Sequence, residues 1–346
     1  MDRRRFIWNS VHGAFGLFLA QNIKAQDIFL GSSNSEKLDA LMERPLSKLA
    51  FGSCNYSDRD QSYWKNIAAE APDLWIWLGD TIYGDGLNME QRRARFRALK
   101  DNPYYAAFRS QTPVIGTWDD HDYASDNQDG GFKDKLASKQ ATLSFLDLAM
   151  DSDVWNHSGI YQSYEIGPRG QRTKVILLDL RYNLDRSRPQ KTLLGATQWA
   201  WFEDQIANLD SECLIIGSSI NVTSPTTGFG LEGWNAFGDE RRRLYDLIAR
   251  ANVPTILLSG DRHQAEFSRI VLGNGLPVYE FMSSGLTHST GAALPSPYRV
   301  GKVVGNQNYG LIRIEWDSIG PQVRMEIRAS QSSSVYRELR PSFAPQ

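Results

Sequence analysis

Six times along this chain a short apolar run stops abruptly in glycine, acid, histidine or serine. Leu49-Ala50-Phe51 stops in Gly52-Ser53-Cys54, Leu74-Trp75-Ile76-Trp77-Leu78 in Gly79-Asp80, and Val114-Ile115-Gly116-Thr117-Trp118 in Asp119-Asp120-His121-Asp122. Val175-Ile176-Leu177-Leu178 stops in Asp179-Leu180-Arg181, Leu214-Ile215-Ile216 in Gly217-Ser218-Ser219, and Ile256-Leu257-Leu258 in Ser259-Gly260-Asp261-Arg262-His263. A strand that is apolar on both faces must be covered on both, as parallel strands inside α/β proteins are. In such sheets ligands bind beyond the carboxyl ends of the strands. The six polar ends are therefore expected to converge on one site.

Between the runs lie helical patterns. Met89 to Leu99 and Lys135 to Met150 are amphipathic; Thr197 to Leu209 and Arg241 to Ala249 carry apolar residues at helical spacing. After Val278 the pattern changes to strands alone, at Val278 to Met282, Gly310 to Trp316 and Val323 to Ile327. Ser283 to Gln307, rich in Gly, Ser, Pro and Thr, reads as a long loop. Without an internal repeat or a dividing linker, residues 47–346 read as one domain, α/β first, with added strands at its end. Lys+Arg 38 against Asp+Glu 40 leaves no concentrated basic surface, which argues against stable nucleic-acid binding. No apolar stretch reaches the roughly 20 residues of a membrane span.

Residues 1–25 read as a signal peptide. Arg3-Arg4 followed by Phe6, a weakly apolar run from Val11 to Ala20, and Ala25 as a cleavage position point to the twin-arginine export machinery. The competing reading is an amphipathic first helix. Residues 26–46 are then a linker, and the mature protein is expected in the periplasm or outside the cell. The two cysteines, Cys54 and Cys213, are not expected to pair. Cys54 stands where a metal ligand is wanted, and Cys213 opens an apolar run as a small buried hydrophobe.

Carboxylates, imidazoles, a thiol and a phenol at strand ends are metal-site chemistry. Hydrolysis of a phosphoester anion near neutral pH needs an activated water and positive charge for the developing oxygens, and paired metals supply both. Cys54, Asp80, Tyr83, Asp120, His121, Asp261 and His263 are the candidates. Gly79 and Gly260 precede two of the carboxylates, as a tight strand-to-loop turn needs. Asp119 and Asp122 read as helix caps, His157 and His288 as non-ligands, with His288 able to border the pocket, and Trp75, Trp77 and Trp118 as core. Arg181 is open to a structural pairing with Asp179 or Asp185.

The segments Gly52-Ser53-Cys54, Leu78-Gly79-Asp80-Thr81-Ile82-Tyr83, Trp118-Asp119-Asp120-His121-Asp122-Tyr123, Leu178-Asp179-Leu180-Arg181 and Leu258-Ser259-Gly260-Asp261-Arg262-His263 resemble, in order, the motif series of the PhoD-like alkaline phosphatases. That family is a branch of the calcineurin-like metallophosphoesterases. Leu194-Gly195-Ala196-Thr197-Gln198-Trp199 and Ser283-Ser284-Gly285-Leu286-Thr287-His288 extend the resemblance, which runs from Ser47 to Trp316. It implies an α/β fold of two mixed β-sheets packed as a sandwich and flanked by helices, and hydrolysis of phosphomonoesters or phosphodiesters by iron and calcium, with other divalent metals as alternatives. By position, Cys54, Asp80 and Tyr83 serve the iron, Asp80 bridges, Asp120 serves the second metal, and Asp261 and His263 close the site. His121 faces the phosphate or leaving group, and Arg181 holds phosphate oxygens.

The family's N-terminal β-domain and long C-terminal region are expected to be missing here. Its second arginine behind Arg181 is replaced by Tyr182-Asn183-Leu184-Asp185. With Arg181 as the one assigned phosphate ligand, a preference for singly charged diesters is expected. The substrate is expected to be a small phosphoester, with a phospholipid or nucleotide as options. The alternatives are a phospholipase D-like diesterase of the same family, or an exported binding protein that keeps its metal and phosphate contacts without turnover.

Overall fold

The computed structural model describes residues 33–187, 189, 191–225, 232–332 and 334–345. The signal-peptide reading of residues 1–25 lies outside them. In chain order the strands are β1 Lys48–Gly52, β2 Leu74–Leu78, β3 Val114–Thr117, β4 Gln162–Ile166, β5 Thr173–Leu177, β6 Cys213–Gly217 and β7 Thr255–Ser259. Then follow β8 Ala265–Val271, β9 Pro277–Ser283, β10 Arg299–Val304, β11 Asn308–Asp317, β12 Gly320–Ala329 and β13 Val335–Leu339. The helices are α1 Asn34–Met42, α2 Trp64–Ala69, α3 Met89–Lys100, α4 Pro103–Gln111, α5 Asp120–Tyr123, α6 Lys135–Phe145, α7 Gly195–Ala207 and α8 Gly238–Ala251.

Two mixed sheets result, ordered β13-β12-β11-β1-β2-β3 and β10-β8-β9-β7-β6-β5-β4. β1, β2 and β3 are parallel neighbours, as are β5, β6, β7 and β9. The apolar runs explain the layering. Side chains alternate across a strand, so Leu74, Ile76 and Leu78 face inward to meet Leu177, Ile215, Leu258 and Phe281 of the other sheet. Trp75 and Trp77 face outward onto Trp64, Phe96, Tyr105 and Phe108 of the helical layer. On the opposite side Ile176, Leu214, Ile216 and Leu257 pack on Trp199, Phe202, Leu244 and Leu247 of α7 and α8. Each fully buried side chain of this kind stabilises the fold by about 1.5–3 kcal/mol.

Two expectations need correction. Much of the stretch read as linker belongs to the body: Ser33 and Glu36 form a capping box on α1, and Leu38 and Leu41 enter the inter-sheet core. The Asn34 amide donates to the carbonyls of Val114 (2.7 Å) and Leu146 (3.0 Å), tying α1 to β3. The stretch 283–307 is not all loop either, because Arg299–Val304 forms β10 against β8. Cys213 is a buried free thiol, as expected, and Cys54 is unpaired too.

Candidate metal centre

The parallel strands of both sheets end at the same side, and two glycines decide how closely those ends meet. Gly79 has φ +87°, and a Cβ there would lie 2.4 Å from Cβ of Asp119, so only glycine lets the β2 end touch the β3 end. Gly260 works differently: its φ is not left-handed, but a Cβ would come within 2.6 Å of Ser53 Oγ and 2.9 Å of the Leu78 and Ser219 carbonyls. The turns that follow are strained. Cys54 (φ 60°), Asp80 (φ 46°), Asp261 (φ 71°) and His263 (φ 53°) are left-handed non-glycine residues, each costing about 1–2 kcal/mol. Such strain clusters where a site holds its backbone against local preference.

The donor atoms fall into three overlapping groups, Cys54–Asp80–His263, Asp80–Asp120–His121 and Asp80–Asp119–Asp261, each within 4.8 Å. Asp80 is common to all three. Tyr83 joins the first side: its Oη lies 3.2 Å from Nε2 of His263 and 3.1 Å from Nε2 of His288. Tyr56 stacks on Tyr83 at 4.1 Å between ring centres. His121 sits at the other edge, with Nδ1 held 2.5 Å from the Asp85 carboxylate and its ring against Tyr83. Beneath this loop Arg92 is buried, donating to the carbonyls of His121 (2.6 Å), Asp122 (2.9 Å) and Gly84 (2.9 Å).

Cys54, Asp80, Tyr83, Asp120, His121, Asp261 and His263 therefore lie together, whereas Arg181 is buried. It is 1% exposed, and its guanidinium meets Asp119 at 2.5 Å, Glu232 at 2.5 Å and Asp120 at 3.8 Å. Asp179 meets Arg181 only through the Arg181 backbone N–H (2.9 Å), and the guanidinium pairs with neither Asp179 nor Asp185. Asp122 is the cap it was read as, accepting from the backbone of Ile82 and Asp119. Asp119 stands at the N-cap of α5 as read, and its carboxylate also accepts from Arg181 and Ser219 Oγ and enters the third donor group. In sequence the two looked alike. Glu232 was invisible because its role is set by Arg181 and Arg186, which reach it from another loop.

The cluster holds more negative charge than it neutralises. Burial, then Asp120, Asp119, Asp122 and Asp261, push Asp80 well above the carboxylate range. Burial, Asp119 and Asp120 push Asp261 to about 8, with Arg181 and Arg262 pulling the other way. Burial also raises Asp119, against Arg181. For Asp120 burial is overcome by Arg181, His121 and backbone donors, and its pKa falls. The Cys54 thiol is raised by burial and by Asp80, and the Tyr83 phenol by burial, Cys54 and Asp80. Burial lowers His263, while burial, His263 and Arg59 hold His288 near 3. Asp80 Oδ1 is fully buried with no hydrogen-bond partner among the described residues. An orphaned carboxylate oxygen among raised acids, with neutral imidazoles beside them, is the setting that a polyvalent cation completes. The donor set fits metal.

A cavity of about 610 Å³ opens onto the cluster, lined by Asp80, Asp120, His121, Asp261, Arg262 and His263 on one side and by Ala292, Ala293 and Leu294 on another. Two facing mixed sheets with a candidate metal cluster at their common end define an α/β sandwich. The PhoD-like phosphatase model matches residues 49–308, and the chain belongs to that family. Among solved structures, PhoD superposes with a TM-score of 0.69 at 18% identity, covering 86% of this chain and 69% of PhoD. GAP50, the anchor in the inner membrane complex of Plasmodium, superposes with a TM-score of 0.57 at 11% identity, covering 88% and 90%. No curated protein matches the chain by sequence.

Proposed function

We propose that the chain is an exported phosphoesterase that hydrolyses phosphodiesters in preference to phosphomonoesters, using iron on the Cys54–Asp80–Tyr83–His263 side and calcium on the Asp80–Asp120 side. The observation that carries this is the sharing of Asp80, with its orphaned oxygen, by all three donor groups. Thiol and phenol suit iron(III), and carboxylate oxygens suit a hard divalent ion. Bound there, such metals supply activation of the attacking water and charge for the phosphoryl oxygens.

The chain's own residues supply the rest. Water oxygen adds to phosphorus, the bond to the leaving oxygen breaks, and a proton must reach that oxygen. His121 is placed for the proton: Asp85 takes its Nδ1, which leaves Nε2 for the leaving group. Arg181 holds Asp119 and Asp120 in place and offsets their charge. The excess of acids favours a singly charged diester over a doubly charged monoester. The paired arginines ahead of Phe6 support export, and no helix of the described residues is long and apolar enough to cross a membrane. The test is kcat/KM for p-nitrophenyl phosphate and bis-p-nitrophenyl phosphate at equal metal loading. The diester is expected to lead, and a monoester advantage of roughly tenfold or more would refute the preference.

A further inference from the structure

The carboxylates of the cluster leave the question of what meets the substrate's own negative charge. Arg181, Arg186 and Arg262 lie within electrostatic reach of Asp119, Asp120 or Asp261. Arg181 is fully buried against Asp119, Asp120 and Glu232, so it has neither access nor uncompensated charge. Arg186 is paired with Glu232. Arg262 differs from both: it lines the cavity beside Asp80 and Asp120, is only partly buried, and its guanidinium has no hydrogen-bond or ion-pair partner among the described residues.

Its backbone is held on both sides. The Arg262 N–H donates to the Gly260 carbonyl at 2.9 Å, and the His263 carbonyl accepts from Thr290 N at 2.7 Å. Asp261 and His263, on either side, are left-handed. The turn thus points two metal-site residues into the cluster and carries the arginine between them to the cavity wall. A planar guanidinium presents paired donors that match two oxygens of one phosphoryl group.

We propose that Arg262, rather than Arg181, is the side chain that binds the phosphoryl oxygens of the substrate, with Ala292, Ala293 and Leu294 beyond it receiving the ester's organic group. This rests on the phosphoesterase reading above and assigns its substrate contact. Arg262 is the one guanidinium among the described residues lining the cavity, which accords with a substrate that carries one negative charge.

The experiment compares the metal-loaded wild type with Arg262→Gln and Arg262→Lys. Inorganic phosphate is the binding probe, read by calorimetry, and bis-p-nitrophenyl phosphate is the substrate. Arg262→Gln is expected to weaken phosphate binding and to lower kcat/KM, each by roughly tenfold or more, the scale of one charge-assisted contact. Metal content and melting temperature are expected to stay at wild-type values, and Arg262→Lys to recover part of both losses. Phosphate affinity and kcat/KM within about twofold of wild type would overturn the proposal. Loss of metal from Arg262→Gln in step with activity would also overturn it, because Arg262 would then be shaping the turn. If the wild type hydrolyses neither ester, the phosphoesterase reading fails, while the phosphate-binding comparison still reports on Arg262.

Discussion

Arg181→Met separates a buried structural cation from a substrate ligand. The wild-type guanidinium is 1% exposed and compensates Asp119 and Glu232, both at 2.5 Å, with Asp120 at 3.8 Å. Methionine fills much of the space but leaves those carboxylates facing one another in a dry interior. Removing one partner of a buried ion pair costs about 3–5 kcal/mol. At about 2–4 °C per kcal/mol for a large domain, the melting temperature should fall by roughly 6–20 °C. Thermal unfolding of metal-stripped protein, followed by circular dichroism, reads this without interference from the metals. Arg181→Met with Asp119→Asn should recover part of the loss, since the two residues are in contact. A melting temperature within about 2 °C of wild type, together with a tenfold or greater fall in turnover, would show that Arg181 serves the substrate instead.

Three further outcomes are expected. Arg3→Lys with Arg4→Lys should stop export; unchanged export would contradict the twin-arginine reading of residues that lie outside the described ones. Cys54→Ser should lose bound iron and any thiolate or phenolate colour together, whereas quantitative alkylation of Cys54 in native, metal-loaded protein would show a free thiol. Asp73 accepts from Ser47 N (3.0 Å), Ser47 Oγ (2.7 Å), Lys48 N (2.7 Å) and Arg44 (2.6 Å), pinning the start of β1. Burial opposes its charge, but Ser47, Arg44 and Lys48 outweigh burial and depress its pKa. The stabilisation is thus complete above the unfolded value of about 3.9 and is lost as pH falls through the lower folded value. Asp73→Asn should cost about 1–3 kcal/mol at neutral pH. That difference should shrink in acid, and a gap independent of pH in urea unfolding would count against it.

The parts of the fold legible in the sequence were those with one dominant physical signal. Uninterrupted apolar runs marked strands covered on both faces, and α3, α6, α7 and α8 carried apolar residues at helical spacing. The sequence was harder to read where the signal was short or polar. Ser33-Asn34-Ser35-Glu36 is a capping-box pattern, but the helix after it is brief and was absorbed into the linker. Asn102-Pro103 likewise announces α4 by its cap and its first-turn proline. β4 is an edge strand with half-exposed Ser163, Tyr164 and Glu165, so it lacks the apolar signature. β8 hides its pattern because Glu266 and Ser268 are buried yet satisfied by Ser224 and Arg299. At the site, residue type and position at a strand end located the cluster. They could not distinguish Asp119 from Asp122, or show that Arg181 faces inward, because those roles depend on partners distant in sequence.

In the proposed function one Asp80-centred cluster binds metal and thereby hydrolyses phosphoesters. Its most direct test is the rate of bis-p-nitrophenyl phosphate hydrolysis by chelator-stripped protein as iron and calcium are added back, in wild type and in Asp80→Ala. Stripped wild type should be inactive and regain activity as metal is bound, up to a pair of ions per chain, while Asp80→Ala should bind neither ion and stay inactive at every addition. Full hydrolysis by the stripped protein, or Asp80→Ala that binds both ions and turns over as wild type does, would contradict it.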